Sequence, residues 1–192
     1  MNVTAFTSQF DHFIGLMGTG SFKDASGQGV ASSDPTALPV QNYQGVKARF
    51  QGLEASGLVR LWQSASTLDL ALRADTVRAT NTTTGEPLPR IAPLRLGSTL
   101  AYAQGPWHAK LGWDWHAAQT RVPVGSVSTP AYALVNTSVA YRQKRDATAL
   151  TWFARIDNLT DQWAYSATSI LTSTAFGKSP LPGRSFKLGV QA

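Results

Sequence analysis

The sequence contains no cysteine, which removes disulfide frameworks and thiolate chemistry from consideration. Charge is scarce as well. Only 15% of the residues are Asp, Glu, Lys or Arg, against about 25% in an ordinary soluble domain. Ser, Thr, Gln, Asn and Gly fill the deficit, not aliphatic residues. No apolar run approaches the ~20 residues that a membrane-spanning helix needs, so any passage through a bilayer must be made by strands. The opening stretch "MNVTAFTSQF" has no basic flank, apolar core or cleavage site, and it does not read as a secretory leader. The chain is then either cytosolic or begins within a longer protein. Its net charge of +6, from 17 Lys and Arg against 11 Asp and Glu, is scattered without a basic run. That distribution argues against a nucleic-acid partner.

What is abundant is alternation. Period-two patterning recurs along the chain, and helical periodicity is hard to find. In "WHAKLGWDWHAA" the residues Trp107, Ala109, Leu111, Trp113, Trp115 and Ala117 share one parity. His108, Lys110, Gly112, Asp114 and His116 share the other. "LDLALRADTVRA" sets Leu68, Leu70, Leu72 and Ala74 against Asp69, Ala71, Arg73 and Asp75. "LRLGSTLAYA", "YALVNTSVAYR", "TALTWFARI" and the terminal "SFKLGVQ" behave alike, although Phe153 interrupts the polar face of its strand. Two more strands are expected, one over Asn2 to Ile14 and a long one over Asn42 to Trp62 with a bulge near Gly52. The total is about eight.

The connections between these strands alternate in length. Gly15–Gln41, Thr80–Ile91, Gln119–Pro130 and Asn158–Pro182 are long; Gln63–Thr67, Gln104–Pro106 and Gln143–Asp146 are short. A soluble sandwich has no reason to gather its long loops at one end, whereas an outer-membrane barrel has short periplasmic turns and long outer loops. The two parities suit the same environment. Lipid accepts Leu, Val and Ala, with Trp and Tyr near the headgroups, and a wet lumen accepts Lys, Asp, His and Gln. Trp62, Tyr102, Trp107 and Tyr141 lie beside the short turns, where a periplasmic aromatic girdle belongs. Trp113 and Trp115 lie further along their strand, towards the outer boundary. The competing assignment is that these aromatics fill the core of a soluble β-rich module.

Several stretches resemble the C-terminal barrel strands of TonB-dependent outer-membrane receptors. "RIDNLTDQWAY" (Arg155 to Tyr165) is similar to the penultimate strand of that family, with Asn158 and Leu159 followed by Asp161 and an aromatic. "PGRSFKLGV" resembles the last strand, entered through Pro182, Gly183 and Arg184 and continuing at Phe186. "FQGLEASGLVRL" looks like the family's Gly-aliphatic-Glu strand, with Gly52 and Glu54, and "PLPRIAPLRLG" like its Pro-rich return from an outer loop. The resemblance spans nearly the whole chain and only the C-terminal part of the family. It implies an all-β, antiparallel, up-and-down transmembrane barrel of 22 strands with a plugged lumen. About eight strands are present here, so about fourteen strands and the plug would lie upstream. A chain that stops at Gln191-Ala192, just before the aromatic on which family members typically end, reads as a fragment. The implied partners are outer-membrane lipid, the rest of the barrel and its plug, a TonB-type energy-coupling protein acting on the plug, and a metal-chelate ligand. Of the cargoes, iron-siderophore is the commonest, with haem, zinc and cobalamin as alternatives. A small eight-stranded barrel closed on itself, serving as anchor or adhesin, is the competing membrane architecture.

Little points to chemistry. The only histidines are His12, His108 and His116, and the last two lie eight positions apart on one strand, roughly 27 Å. They cannot share an ion. No Ser-His-Asp set stands in a nucleophile elbow, and the Gly-rich "GTGSF" and "GQGV" do not lead a buried strand into a helix as a phosphate loop does. Neither an enzyme nor a cofactor site is read from these residues. Asp69, Arg73, Asp75, Arg95, Lys110, Asp114 and His116 share the lumen-facing parity on neighbouring strands, which lie ~4.8 Å apart. Opposite signs there could form a ladder bracing the wall, or part of a path for an anionic ligand. Ligand contacts are expected chiefly in the long loops Gly15–Gln41 and Asn158–Pro182.

Overall fold

The computed structural model describes residues 1–145 and 148–192. Nine strands form one antiparallel sheet. They are β1 (Asn2–Lys23), β2 (Gly29–Val30), β3 (Leu38–Gln63), β4 (Ser66–Asn81), β5 (Arg95–Gln104), β6 (Trp107–His116), β7 (Tyr132–Arg145), β8 (Thr148–Asp157) and β9 (Ser185–Gln191). Each main strand pairs with the next along the chain, so the sheet is an up-and-down meander. The two-residue β2 lies on the outer edge of β1. Among the described residues β9 pairs only with β8, so these strands do not close on themselves as a small barrel would.

Three expectations are corrected. The stretch Gly15–Gln41 is not a free loop, because β1 continues to Lys23 and β3 begins at Leu38, leaving a tall hairpin. Its ladder carries Phe13, Ile14 and Leu16 opposite Val46, Gly45 and Tyr43, residues that sustain strand pairing well past the apolar band. The bulge near Gly52 is absent: Gly52 pairs in unbroken register with Phe6 and Val77. Register shifts occur instead at Phe10/Phe13, Gly18/Phe22 and Arg60/Trp62. The third concerns the short connections. Gln143, Lys144 and Arg145 belong to β7, and Asp146 of the expected Gln143–Asp146 turn lies outside the described residues. The other short turns tighten to residues 64–65 and 105–106. A five-residue helix, α1 (Ile170–Thr174), interrupts the last long loop, with the Ser169 side chain accepting from the Leu171 N–H.

Register converts the parities into continuous rows. Val59, Leu70, Leu100, Leu111, Thr137, Ile156 and Phe186 are successive partners across seven strands. Ala109, Val139, Ala154 and Leu188 form the next row towards the short turns. Leu188 is 83% exposed and Phe186 69%. No second sheet or helix covers this face among the described residues, so the apolar side is open to a surrounding medium. Beside the short turns Trp107 packs on Tyr141 at 4.8 Å, and Trp152 donates to Gln143. The buried cluster lies on the other face, at the long-loop end, where Ala48, Ala79 and Leu88 meet Phe13, Met17, Phe50 and Ile91. The loop between β4 and β5 folds back over the wall there, its Leu88 N–H donating to the Ala79 carbonyl.

Candidate functional site

The polar face carries a ladder of opposite charges. Arg60 of β3 pairs with Asp69 of β4, Arg95 of β5 with Asp75 of β4 at 2.9 Å, and Arg73 of β4 with Asp114 of β6. At the far edge Asp157 joins Arg155 (2.6 Å) and Lys187 (2.9 Å). These pairs are half-exposed, and each contributes at most about 1 kcal/mol. Of the residues picked out from the sequence, the structure thus unites Asp69, Arg73, Asp75, Arg95 and Asp114 in ion pairs. Lys110 sits opposite Ser138 and Glu54 opposite Asp75, with no ion pair for either among the described residues. Asn2, Thr4, Glu54, Arg73, Asp75 and Arg95 line a hollow of about 330 Å³ in the wall. His116 stacks on Tyr132, ring centroids 4.5 Å apart and nearly parallel.

The Arg73–Asp114 pair skips a strand. Arg73 and Asp114 both lie opposite Gly97 of the intervening β5. The Arg73 side chain runs directly over Gly97, through the space a Cβ would occupy. Gly97 therefore permits the crossing. The same device recurs on this face, with Phe6 lying over Gly52 and Phe153 over Gly189. An aromatic covering a cross-strand glycine restores contact that the missing side chain would have made. Phe153, anomalous as a residue on a polar face, is explained by its glycine.

The long loops are tied to the wall at definite points. Asn158, buried and held at φ 51°, closes the last one. Its backbone N–H donates to the Asn136 side chain (2.9 Å), and its Oδ1 accepts from the Gln162 N–H (2.8 Å). Its Nδ2 donates to the carbonyls of Gln162 (3.0 Å) and Pro182 (3.2 Å). Leu159 N–H reaches the Val135 carbonyl at 2.7 Å, and Asp161 accepts from the Arg184 N–H at 2.8 Å. Gly183 lies against the Asp161 carboxylate with little room for a side chain. The two ends of the loop are thus stapled together through residues 158–161 and 182–184. Between them Trp163, Tyr165 and Phe176 cluster, the Tyr165 hydroxyl accepting from Trp163 and donating to the Gly177 carbonyl.

Arg121 and Gln119 tie their loop to the end of β4 and to the loop that follows β4. The Arg121 guanidinium donates to the Ala79 carbonyl (2.9 Å) and to the Thr80 hydroxyl (2.6 Å), while Gln119 donates to the Ile91 carbonyl (2.7 Å). A narrow cleft between the loops has Arg90, Arg121, Ser126, Ala167 and Ser173 in its lining. Thr172 also borders it, and its hydroxyl is buried with no hydrogen-bond partner among the described residues. Together the loops fold over the outer end of the charged wall around a cleft of mixed lining, apolar through Leu88, Ile91, Val122 and Val127.

The family model for the TonB dependent receptor-like beta-barrel matches residues 1–159. The chain belongs to that family. TonB-dependent receptor barrels are proteins of the bacterial outer membrane, where the uncovered apolar rows of a barrel wall face lipid. No curated protein matches the sequence. Among solved structures it is similar to a chain described as "Copper transporter OprC", with 21% identity and a TM-score of 0.72. The match covers 98% of this chain and 28% of that one, so this chain spans little more than a quarter of the transporter's length. At that identity the likeness establishes the fold alone.

Within the receptor barrel, the family-motif residues do structural work of identifiable kinds. Asn158, Leu159, Asp161, Pro182, Gly183 and Arg184 make up the loop staple, Gly52 seats Phe6, and Phe186 belongs to the outward apolar row. Gly97, Asn136 and Arg121 belong to none of these motifs. Gly97 left a trace, as a glycine on a charged parity whose cross-strand neighbours carry opposite signs. Arg121 left none, since its partners Ala79 and Thr80 lie on β4, 42 and 41 residues earlier in the sequence.

Proposed function

We propose that this chain forms part of the barrel wall and outer mouth of a receptor that takes up a scarce metal as its chelate. Iron-siderophore is the first candidate cargo. The observation that carries the reading is the coincidence of rows. One face of a single registered sheet is apolar and uncovered, the opposite face is a charge ladder, and the long loops are stapled over its outer end. That arrangement suits capture and guided passage, not bond-making. The mouth arginines Arg90 and Arg121 favour an anionic complex over a bare cation, and the fold-level likeness to a copper transporter keeps copper among the metals to be tried.

In this reading the outer loops capture the chelate and an energy-coupling protein pulls on a plug inside the barrel to open the passage. The test uses the full-length protein in cells stripped of other uptake routes, supplied with ferric siderophores, haem, zinc and copper complexes in turn. One chelate should accumulate, and only while the coupling protein is present. Accumulation that persists without the coupling protein would identify a passive pore.

A further inference from the structure

Just above the apolar band, the lipid-facing side of the hairpin's root carries three cations. Lys47 and Arg49 alternate on β3 with Ala48, and Arg78 precedes Ala79 on β4. Ala48 and Ala79 are 2% and 0% exposed, buried beneath the loop inside the wall. Their neighbours Lys47, Arg49 and Arg78 therefore point the opposite way, outward, and all three are exposed. Register makes them a cluster. Arg49 pairs with Thr80 and Arg78 with Gln51, so the two arginines are diagonal neighbours on adjacent strands. Lys47 lies two positions along the same strand, roughly 7 Å away.

Among the described residues none of the three makes an ion pair or donates a side-chain hydrogen bond; Asp11, in the adjacent β1 bulge, pairs with none of them. Below the cluster on the same face come Leu53, Ala55, Gly57 and Val59, and beyond them Trp62 at the short-turn end. The cations thus stand one step above the apolar band, at the outer headgroup level. On the same face, the residues that register joins to Ala55 and Ala74, namely Leu96, Trp115 and Ala133, carry no charge.

Cations without partners, beside neutral Gln9 and Gln51, complement a multiply charged anion resting on the barrel from outside. We infer that Lys47, Arg49 and Arg78 form a binding site for a phosphorylated lipid headgroup of the outer leaflet. Lipid chains lie along the rows Leu53–Val59 and Leu68–Leu72 while the phosphates meet the cations. The inference rests on the outer-membrane placement of this face and is independent of which chelate the receptor carries.

The test is native mass spectrometry of the full-length protein extracted in mild detergent, with a multiply phosphorylated glycolipid and its dephosphorylated form added in turn. The wild type should retain the phosphorylated lipid, and less of it as ionic strength rises. K47Q/R49Q/R78Q should weaken retention on the order of a hundredfold, from about fivefold per cation near an anionic lipid surface. K178Q, in the outer loop, should leave it unchanged. Heat-modifiable gel migration reports independently that each variant is a folded barrel. If the triple variant does not fold, R49Q alone should weaken retention about fivefold, and an unchanged value would overturn the proposal. Equal retention by the folded triple variant, or of the dephosphorylated lipid by the wild type, would overturn it as well. Displacement by inorganic phosphate as effective as displacement by the lipid would make this a free-anion site, contrary to the assignment.

Discussion

Asn158 is the residue on which the last outer loop should be most sensitive. Replacing it by Ala removes three side-chain hydrogen bonds, those to the Gln162 N–H, the Gln162 carbonyl and the Pro182 carbonyl. At about 1 kcal/mol each the loss is about 3 kcal/mol. The backbone at φ 51° adds a second term. Asn tolerates that left-handed region and Ala does not, at about 1 kcal/mol. A total near 4 kcal/mol raises the open fraction of the loop roughly a thousandfold, at 1.4 kcal/mol per factor of ten. The assay is limited proteolysis of the full-length receptor, with cleavage scored between residues 159 and 181, since cleavage of an opening segment follows its open population. Asn158→Gly separates the terms, because it loses the same hydrogen bonds but accepts the φ. It should open the loop about fivefold less than Ala does. Asn158→Asp should be no better than Gly, because a carboxylate oxygen would face two carbonyls. If Asn158→Ala is cleaved at the wild-type rate, the loop is held by its aromatic cluster and the staple argument fails.

Three further outcomes follow from the same geometry. Gly97→Ala should displace Arg73 and break its pair with Asp114, costing about 1 kcal/mol or less because the pair is exposed and the arginine can swing aside. Asp114→Asn added to it should cost almost nothing more, so additive effects in a double-mutant cycle of unfolding would contradict the crossing. Arg121→Gln should free the 117–131 loop from the β4 end at a cost of about 1–3 kcal/mol, visible as faster amide exchange at Arg121 and Thr129, with exchange in β8 unchanged. The hairpin tip should respond to acid. Asp24 is held below the usual carboxylate value of 3.8 by the Ser26 hydroxyl and the Gln28 and Ser26 amides, and Asp34 by the Thr36 hydroxyl and amide. A carboxylate whose folded pKa is depressed contributes fully above its unfolded value and is lost as pH falls through the folded one. The Ser26, Gln28 and Thr36 amide resonances should therefore titrate with midpoints below 3.8; midpoints at or above it would show that these turns do not hold the charged form.

Alternation and loop spacing were local properties, and they were legible. A strand's side chains point to opposite faces every second residue, so Leu68, Leu70 and Leu72 against Asp69, Arg73 and Asp75 disclosed both the strand and its two solvents. The ion pairs were half legible. Parity put Asp75 and Arg95 on one face, but only register could show that Arg73 bypasses β5 to reach Asp114. Bulges were misplaced because Gly52 suggested one, while the actual shift at Phe10/Phe13 allows both rings to turn inward onto Phe50. The outer half of the β1–β3 hairpin is polar and Gly-rich, and from the sequence alone it reads as loop. The pairing there is sustained by the ladder that rises from below.

The sequence by itself determined an antiparallel meander with one greasy and one wet side, short turns at one end and long loops at the other. Tertiary structure alone decided which charges meet, which glycines let a side chain cross, and how Asn158 and Asp161 clasp Pro182 and Arg184. The division has a physical cause. Side-chain direction along a strand is fixed by the chain's own stereochemistry, whereas contacts between distant segments depend on register, and a shift of one residue would exchange every partner.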